Sequence, residues 1–403
     1  MRLLIHDYAG HPFPVSLSRE LARRGHQVTH AFAGNLLTPR GVLILQPSDP
    51  PSLEFREVPM SASYRANKYS FLQRRNYELD YGRELSGFTS QLRPDVVISG
   101  QTPTEPQWMM IKEARRLGIA VISWVQDFYS IAVTQLAQKK LPVIGAAIGW
   151  WYRQLDTRCL LASSGIVAIT KDFVPILERI GVPAERITVI PNWAPLDELP
   201  ERPRRNAWSI RHNLDERFVF LYSGTLAMKH NPDLLRQLAL RFRGDTVVQI
   251  VVVSEGPGAN YLQRAKADEN LVNLVVLPFQ PFDEMPEVLA SGDALVAVLE
   301  PDAGVFSVPS KVLSYHCAAR PILGAMPLRN LAARVIGHAE SGICVDPGDI
   351  QGFLAAAERL RGDPATNAAM GRRARRYAEQ EFEIGCIADR FEKVIRSAMS
   401  VDL

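Results

Sequence analysis

Short apolar runs rich in β-branched residues alternate with longer amphipathic stretches along most of the sequence, and this alternation constrains the fold more than any other feature. It predicts an α/β protein, because parallel strands need long crossovers, usually helical, that cover the faces of the sheet. The predicted strands, in chain order, are Leu3–Ile5, Val28–Phe32, Val96–Ile98, Ala120–Ile122, Ile166–Ile169, Phe218–Tyr222, Val247–Val253, Val272–Leu277, Ala294–Leu299, Pro321–Leu323 and Ile343–Val345.

A polar stretch at residues 191–205 divides this alternation into two halves. It holds repeated prolines among aspartate, glutamate and arginine, a composition typical of an exposed linker. A chain of 403 residues is also long for one core and suits two domains. We expect Rossmann-like domains at residues 1–196 and 197–380, followed by a helical segment at 381–403.

The composition is that of a globular protein, with 47% hydrophobic and 22% charged residues. A net charge of +3 gives no general case for a nucleic-acid partner. The apolar start at Leu3–Ile5 is too short for a signal peptide, and the run Leu141–Tyr152 is shorter than the roughly 20 residues that span a bilayer. The four cysteines have no metal-ligand spacing, so we expect reduced thiols in a cytoplasmic protein. They are Cys159, Cys317, Cys344 and Cys386.

The strongest local constellation lies at Tyr222–Pro232, where a predicted strand ends in the small-residue turn Ser223-Gly224-Thr225 and Lys229 precedes a helix start. An ammonium group, backbone N–H groups and the positive end of a helix dipole near one point can bind a diphosphate. A tight turn beside a solvated lysine explains the same residues equally well.

Two further turns follow strands of the second half. Pro309-Ser310-Lys311 begins a predicted helix and offers a hydroxyl group, a charge and free N–H groups to an anion, although an ordinary helix cap has the same pattern. The glycines of the turn Ser254-Glu255-Gly256-Pro257-Gly258 either allow a ligand to approach the backbone or simply allow a tight turn after the strand.

In the first half, Gly10-His11 and Trp124-Val125-Gln126-Asp127 lie just beyond strand ends. Ligand crevices of α/β proteins form at that edge of the sheet. Asp127 could accept a proton or a hydroxyl hydrogen bond there, or it could cap the following helix.

Together these segments resemble the retaining nucleotide-sugar glycosyltransferases of family 4, which have the GT-B fold, and especially the bacterial branch that builds surface polysaccharides and O-antigens. The resemblance covers nearly the whole chain. It rests on these residues in this order: Trp124-Val125-Gln126-Asp127, Val189-Ile190-Pro191-Asn192-Trp193, Gly224–Pro232, Leu277-Pro278-Phe279-Gln280-Pro281, Pro309-Ser310-Lys311 and Ala319-Arg320-Pro321. It implies two Rossmann-like domains with sheets facing across a cleft, and C-terminal helices that cross back to the first domain.

The resemblance also implies roles by position. Lys229 would neutralise the donor diphosphate, helped by Gly10 and by the helix start at Ser310-Lys311. The remaining donor contacts would come from Ser223, Gly224, Thr225, Glu255, Gly256, Phe279, Gln280, Pro309 and Ser314. Gln126 and Asp127 would lie beside the acceptor and the transferred sugar, with His11 and Trp124 on the acceptor side.

The sequence departs from the family pattern at three positions. Phe306 and Ser314 stand where many relatives carry a pair of glutamates that contact the sugar and the ribose. Thr225 stands near the place of the usual arginine partner of the donor lysine. Ser314 could still bind the ribose, and Glu300 could supply a carboxylate.

The expected reaction is metal-independent sugar transfer with retention, from a UDP- or GDP-sugar to a lipid-linked glycan. No Asp-x-Asp motif of the metal-using transferases stands at a strand end. The alternatives are a non-catalytic sugar-nucleotide-binding partner of a transferase and a GT-B nucleotide-sugar epimerase. A nicotinamide dehydrogenase is disfavoured, because the first turn has Gly10 alone where G-x-G-x-x-G would be expected.

A basic and aromatic segment suggests contact with a lipid surface at the inner face of the cytoplasmic membrane. Lys139-Lys140 precede the apolar residues 141–144 and then Trp150-Trp151-Tyr152-Arg153. This order can dock on a bilayer, where a polyprenyl-diphosphate-linked acceptor would be found, and the alternative is a helix packed on the core. Upstream residues could extend the same face: Tyr64, Arg65, Lys68, Tyr69, Phe71, Arg74 and Arg75.

Overall fold

The computed structural model describes residues 1–36, 40–64, 70–140, 142–226, 230–301 and 309–400. The chain divides into two compact units. Unit 1 comprises Met1–Asn192 together with Ile384–Leu403, and unit 2 comprises Trp193–Glu383. The break after Asn192 falls inside the proline-rich stretch.

In the described part of unit 1, a seven-stranded parallel sheet forms the centre. Its strands are β1 (Arg2–Asp7), β2 (Gln27–Ala33), β3 (Leu53–Val58), β4 (Val96–Gly100), β5 (Ala120–Val125), β6 (Gly165–Ala168) and β7 (Ile187–Val189). They pair in the order β3-β2-β1-β4-β5-β6-β7. The chain order reverses between β1 and β4, and ligands of such sheets bind outside the carboxyl ends of the strands at this point.

Helices cover both faces of this sheet. The helices are α1 (Pro12–Arg23), α2 (Phe71–Leu92), α3 (Thr104–Arg116), α4 (Tyr129–Lys140), α5 (Pro142–Ala162) and α6 (Val174–Ile180). On one face, Leu4, Val97 and Val121 of the strands pack with Leu85 of α2 and Met110 of α3 in a single apolar cluster.

In the described part of unit 2, a six-stranded parallel sheet repeats the plan. Its strands are β8 (Phe218–Ser223), β9 (Val248–Val253), β10 (Leu274–Leu277), β11 (Ala294–Val298), β12 (Ile322–Ala325) and β13 (Gly342–Val345), in the order β10-β9-β8-β11-β12-β13. Its helices are α7 (Ala207–Arg211), α8 (Pro232–Arg241), α9 (Pro257–Asp268), α10 (Met285–Ala290), α11 (Lys311–Cys317), α12 (Leu331–His338), α13 (Ile350–Gly362) and α14 (Pro364–Glu381). The predicted α/β class and the paired Rossmann-like sheets are confirmed.

The last helix, α15 (Ile384–Met399), returns to unit 1 and packs on α1, β5 and β6. Its buried stripe includes Ile387, Phe391 and Ile395 at helical spacing, because side chains three and four positions apart share one face. The ring of Phe391 meets the ring of Trp124 edge-on, with centroids 4.9 Å apart.

Two strands escaped the sequence prediction, β3 and β7, and both are edge strands of the unit 1 sheet. Two side chains of β3, those of Arg56 and Glu57, are exposed, and β7 has only three residues, all half-buried. Neither segment therefore contains the long apolar run that marks a buried parallel strand.

Replacing Phe391 with alanine should destabilise unit 1 by about 3–5 kcal/mol, because removing a fully buried ring leaves a cavity beside Trp124. Urea unfolding followed by tryptophan fluorescence measures the loss. Met399→Ala on the same helix is the control, since that side chain is 48% exposed and its removal should matter little. Equal effects of the two substitutions would contradict the packing of α15 on unit 1.

Candidate functional site

In unit 2, a buried tyrosine of α11 hydrogen-bonds to two neighbouring strands, at the end of β8 and in the middle of β11. The backbone N–H of Ser223, at the end of β8, donates to Tyr315 Oη at 3.0 Å. The same hydroxyl lies 3.2 Å from the carbonyl oxygen of Val296 in β11. The start of α11 therefore stays beside the turn that follows β8.

Lys311 lies at this junction. Its Nζ is 3.5 Å from the centroid of the Tyr222 ring, close enough for a cation–π interaction. Gly224 has φ +122°, which favours glycine, and a Cβ there would lie 3.4 Å from Lys311 Cε. Ser223-Gly224 and Lys311, predicted separately, thus meet at one point and place a positive charge at the end of β8. Thr225 is exposed beside them.

The ends of β9 and β10 lie side by side in the same sheet. The Glu255 carboxylate accepts a hydrogen bond from the Phe279 backbone N–H at 3.3 Å, and Gly256 at the start of α9 has φ +101°. Phe279 is 40% exposed. The Gln280 amide oxygen accepts from Trp208 Nε1 at 3.1 Å, so its side chain is held against unit 2 beside the exposed Phe279 ring.

The other residues named for the donor site divide into those that the structure describes and those that it does not. Lys229 and Phe306 lie outside the described residues. Pro309 is buried, and Ser310 occupies the N-cap position of α11 without a capping hydrogen bond from its side chain. Ser314 is half-buried on α11, and Glu300 is half-buried directly after β11.

In unit 1, the first βα turn is built around a carboxylate that the sequence analysis did not single out. Asp7, at the end of β1, accepts a hydrogen bond from the His11 backbone N–H, and His11 Nδ1 lies 3.6 Å from its carboxylate. Burial would raise the pKa of Asp7, but the charge and hydrogen bonds of His11 outweigh it and lower that pKa. Gly10 has φ +75° and is buried, and a Cβ there would come within 2.8 Å of Leu43 Cδ1.

Three residues predicted for the acceptor side, Trp124, Gln126 and Asp127, line a cavity of about 70 Å³ between the ends of β4 and β5, and His11 is not part of this lining. Asp127 is exposed, whereas Gln126 is buried and accepts a hydrogen bond from the Asn192 side chain. Trp124 also lines the cavity but is only 3% exposed. Its ring is wedged between Phe13 of α1 and Phe391 of α15, so it supports the cavity from the core side.

The floor of this cavity is a chain of buried polar side chains that sequence reasoning missed. The Ser99 hydroxyl donates to Gln107 Oε1 at 2.7 Å, and Gln107 Nε2 donates to Ser123 Oγ at 3.3 Å. His6 Nδ1 lies 3.1 Å from both Ser99 Oγ and Thr102 Oγ1. Burial lowers the pKa of His6 to about 4, so the ring is neutral near pH 7. The available signal was the run of mainly polar residues from Ser99, near the end of β4, to Thr104.

Part of the predicted lipid-facing surface is buried, so that part of the prediction is wrong. Tyr64 and Tyr152 are buried, at 7% and 4% exposure. Arg74 and Arg75 each form an ion pair with a buried glutamate, at 2.7 Å in both cases. The two tyrosine rings therefore do not face a lipid surface, and the two arginines are held by ion pairs within unit 1.

The exposed apolar surface lies instead on α5, where Ile144, Trp150 and Trp151 are 59%, 58% and 49% exposed. Arg153 is exposed on the same helix. The other residues of that expectation lie outside the described residues or side chains: Arg65, Lys68, Tyr69, Phe71, Lys139, Lys140, Leu141, Pro142 and Val143. Among the helices that the structure describes, none combines the length and the hydropathy that a membrane span requires.

Two family models match the chain, one in each half. Residues 12–193 match the model described as "Glycosyl transferase 4-like domain", and residues 217–363 match "Glycosyl transferases group 1". WcaI of Escherichia coli (strain K12), whose name is that of a colanic acid biosynthesis glycosyl transferase, is 24% identical over 220 residues. The match spans 54% of this chain and 53% of that relative, so the chain covers about half of WcaI.

Solved structures share the fold over almost the whole chain. HepE of Anabaena, in complex with UDP and glucose, has a TM-score of 0.71 at 14% identity, over 98% of this chain and 100% of that chain. Sucrose-phosphate synthase from Thermosynechococcus elongatus has a TM-score of 0.73 at 12% identity, over 100% of both chains. At these identities the likeness shows the fold.

Acidification should destabilise unit 1 through His6. Burial lowers the pKa of His6 from its ordinary value of 6.5 to about 4, so between these pH values the unfolded chain binds a proton at His6 that the folded chain does not. Stability is then lost as pH falls from 6.5 towards 4, by about 1.4 kcal/mol per pH unit for each such proton.

Urea unfolding at a series of pH values from 7 to 5 measures this slope. His6→Gln should make it shallower, because one proton uptake is removed. His338→Gln, at an exposed position on α12, is the control and should leave the slope unchanged. An identical slope in the wild-type chain and His6→Gln would show that His6 does not contribute.

Proposed function

We propose a function from one premise: this chain belongs to the family 4 glycosyltransferases, whose two Rossmann-like domains form the GT-B fold. On that premise the chain transfers a sugar from a nucleotide-diphosphate donor to the hydroxyl group of an acceptor. The observation that carries the proposal is the position of the Lys311 ammonium group. It lies over the Tyr222 ring at the end of β8, and the Lys311 side chain lies beside Gly224.

The donor is a uridine diphosphate sugar in this proposal. Its support is that HepE, which shares the fold, was solved in complexes with UDP and glucose and with UDP-glucose. Lys311 and Lys229 would face the diphosphate, together with the backbone N–H groups of the Ser223-Gly224-Thr225 turn. The exposed ring of Phe279 would contact the base, and Glu255-Gly256 would line the donor pocket.

The chemical step places negative charge on the departing UDP. The bond between the anomeric carbon and the diphosphate oxygen breaks, and the acceptor oxygen bonds to the same face of that carbon, so the configuration is retained. The acceptor proton moves to an oxygen of the leaving phosphate. Fixed cations stabilise this charge without reorganisation, and in our proposal they replace a metal ion. Asp127 and Gln126 orient the acceptor hydroxyl and the sugar.

The acceptor is a lipid-linked glycan of surface polysaccharide synthesis in this proposal. The similarity to WcaI, named for colanic acid biosynthesis, supports a polysaccharide pathway. The exposed residues Ile144, Trp150 and Trp151 of α5 lie with the exposed cation Arg153 on the same helix. An apolar face with interfacial aromatics and a basic residue fits the headgroup region of an anionic bilayer, where such an acceptor would be presented.

UDP should raise the thermal unfolding temperature, because a ligand that binds only the folded chain stabilises it by mass action. Lys311→Met and Lys229→Ala should each weaken UDP binding about tenfold or more, since each removes a charge-assisted contact to phosphate. Titration by thermal shift, with GDP and ADP as competing bases, measures these effects. The matched control is Lys266→Met, at an exposed position on α9.

Sugar release and product analysis then separate the remaining alternatives. Transfer from the matching UDP-sugar should persist in EDTA and should give a product with the donor's anomeric configuration. Binding of UDP without sugar release would support the non-catalytic binding partner. Loss of activity in EDTA that Mg²⁺ restores would contradict metal independence.

Trp150→Ser with Trp151→Ser should reduce co-flotation with anionic liposomes by about tenfold or more, because two large apolar side chains no longer enter the interface. Leu328→Ser is the control, since Leu328 is 56% exposed but lies in unit 2. Flotation in which the wild-type chain stays wholly in the soluble fraction would remove the membrane part of the proposal and leave the donor chemistry intact.

A further inference from the structure

We propose that the cavity between the ends of β4 and β5 is a subsite for one edge of a neutral sugar ring in the acceptor, a residue without phosphate or carboxylate at the bound position. This inference rests on the proposed function, since it places the acceptor. All side chains that line the cavity belong to unit 1 and lie between Ser99 and Leu160.

The lining can hydrogen-bond uncharged hydroxyl groups. Ser99, Thr102, Thr104 and Ser123 contribute hydroxyls, and Gln107 contributes an amide. Ser99 Oγ lies 3.0 Å from Thr102 Oγ1 and donates to Gln107, which in turn donates to Ser123, so these four groups form one connected network. Thr104 lies outside it and donates to Asp156. A hydroxyl both donates and accepts and can rotate to suit its partner, which matches the hydroxyl groups of a sugar.

The charges of the lining exclude an anionic ligand. Among the residues that the structure describes, the carboxylates of the lining are Asp127 and Asp156, and no lysine or arginine is part of the lining. Asp156 accepts hydrogen bonds from Thr104 Oγ1 at 2.6 Å and from the Ser130 backbone N–H at 2.9 Å. A phosphate or carboxylate placed here would face these carboxylates without a neutralising cation, at a large desolvation cost. A neutral polyol meets no such penalty.

Size and wall chemistry limit the ligand further. The cavity volume of about 70 Å³ exceeds the roughly 10–15 Å³ that one water requires but is far below that of a whole-ligand pocket. It therefore accepts one or two polar substituents of a ring. Tyr129 also lines the cavity and is half-buried, so its ring can contact the C–H face of a sugar, whereas Trp124 and Phe128 line the cavity but are almost fully buried.

The backbone at the rim adds an independent sign of function. Gln101, which lines the cavity directly after β4, has φ +55°. A left-handed conformation is uncommon for glutamine and costs free energy that the surrounding structure must offset. Such conformations gather at ligand sites, where the loop is held in the shape that the ligand needs.

Saturation-transfer NMR on the full chain tests the proposal with defined probes. The panel consists of methyl glucoside, methyl galactoside, methyl mannoside, methyl N-acetylglucosaminide and glucuronate, each at millimolar concentration. At least one neutral methyl glycoside should give transfer that glucuronate does not. Thr102→Val should weaken that binding about five- to tenfold through the lost hydroxyl group, and Thr102→Phe should abolish it by filling the space. Thr134→Val is the control, because Thr134 is buried on α4 and does not line the cavity.

The outcomes separate this inference from the proposed function. UDP stabilisation is measured on the same samples, and it also reports that each variant is folded. A wild-type chain that responds to UDP but to none of the neutral sugars overturns the subsite alone. Equal transfer to glucuronate, or binding that Thr102→Phe leaves unchanged, overturns it as well. Sugar binding without any nucleotide response supports the subsite and counts against the transferase.

Discussion

Parallel strands end at a common edge, and the backbone groups exposed there must find partners elsewhere in the chain. In unit 2 the hydroxyl of Tyr315 is such a partner, since it receives the N–H of Ser223 from a helix that lies far along the sequence. In unit 1 the carboxylate of Asp7 receives the N–H of His11. The loops at both edges are thus held in place by side chains, and the charged and polar groups beside them keep fixed positions. Preorganised groups of this kind are what stabilisation of a departing diphosphate requires.

The sequence could predict the central strands because they are buried on both faces and read as continuous apolar runs. It could not predict β3, whose apolar residues are interrupted by Glu54, Arg56 and Glu57, or β7, which has only three residues. Gly224 and Lys311 were each found from their place after a strand. Their contact was not predictable, because it depends on the pairing of β8 with β11 and on the Tyr222 ring that holds the ammonium group.

The cavity in unit 1 is a second case in which the sequence does not reveal which residues come together. Ser99 belongs to β4, Gln107 to α3 and Asp156 to α5, and each is unremarkable within its own segment. Only the adjacency of β4 and β5, with the α4–α5 helix pair beside them, brings the three into one lining. Conversely, the sequence favours a basic surface at Arg74, but Glu78, one helical turn away, forms an ion pair with it and offsets its charge.

The return of α15 to unit 1 makes unit 2 an insertion between two parts of one core. During synthesis the chain delivers the strands of unit 1 first, then all of unit 2, and only afterwards the helix that covers β5 and β6. Because α15 is synthesised last, the apolar face around Trp124 stays uncovered until unit 2 has been translated. Nascent chains halted before residue 384 would expose that face to chaperones, whereas a few further turns of helix would bury it.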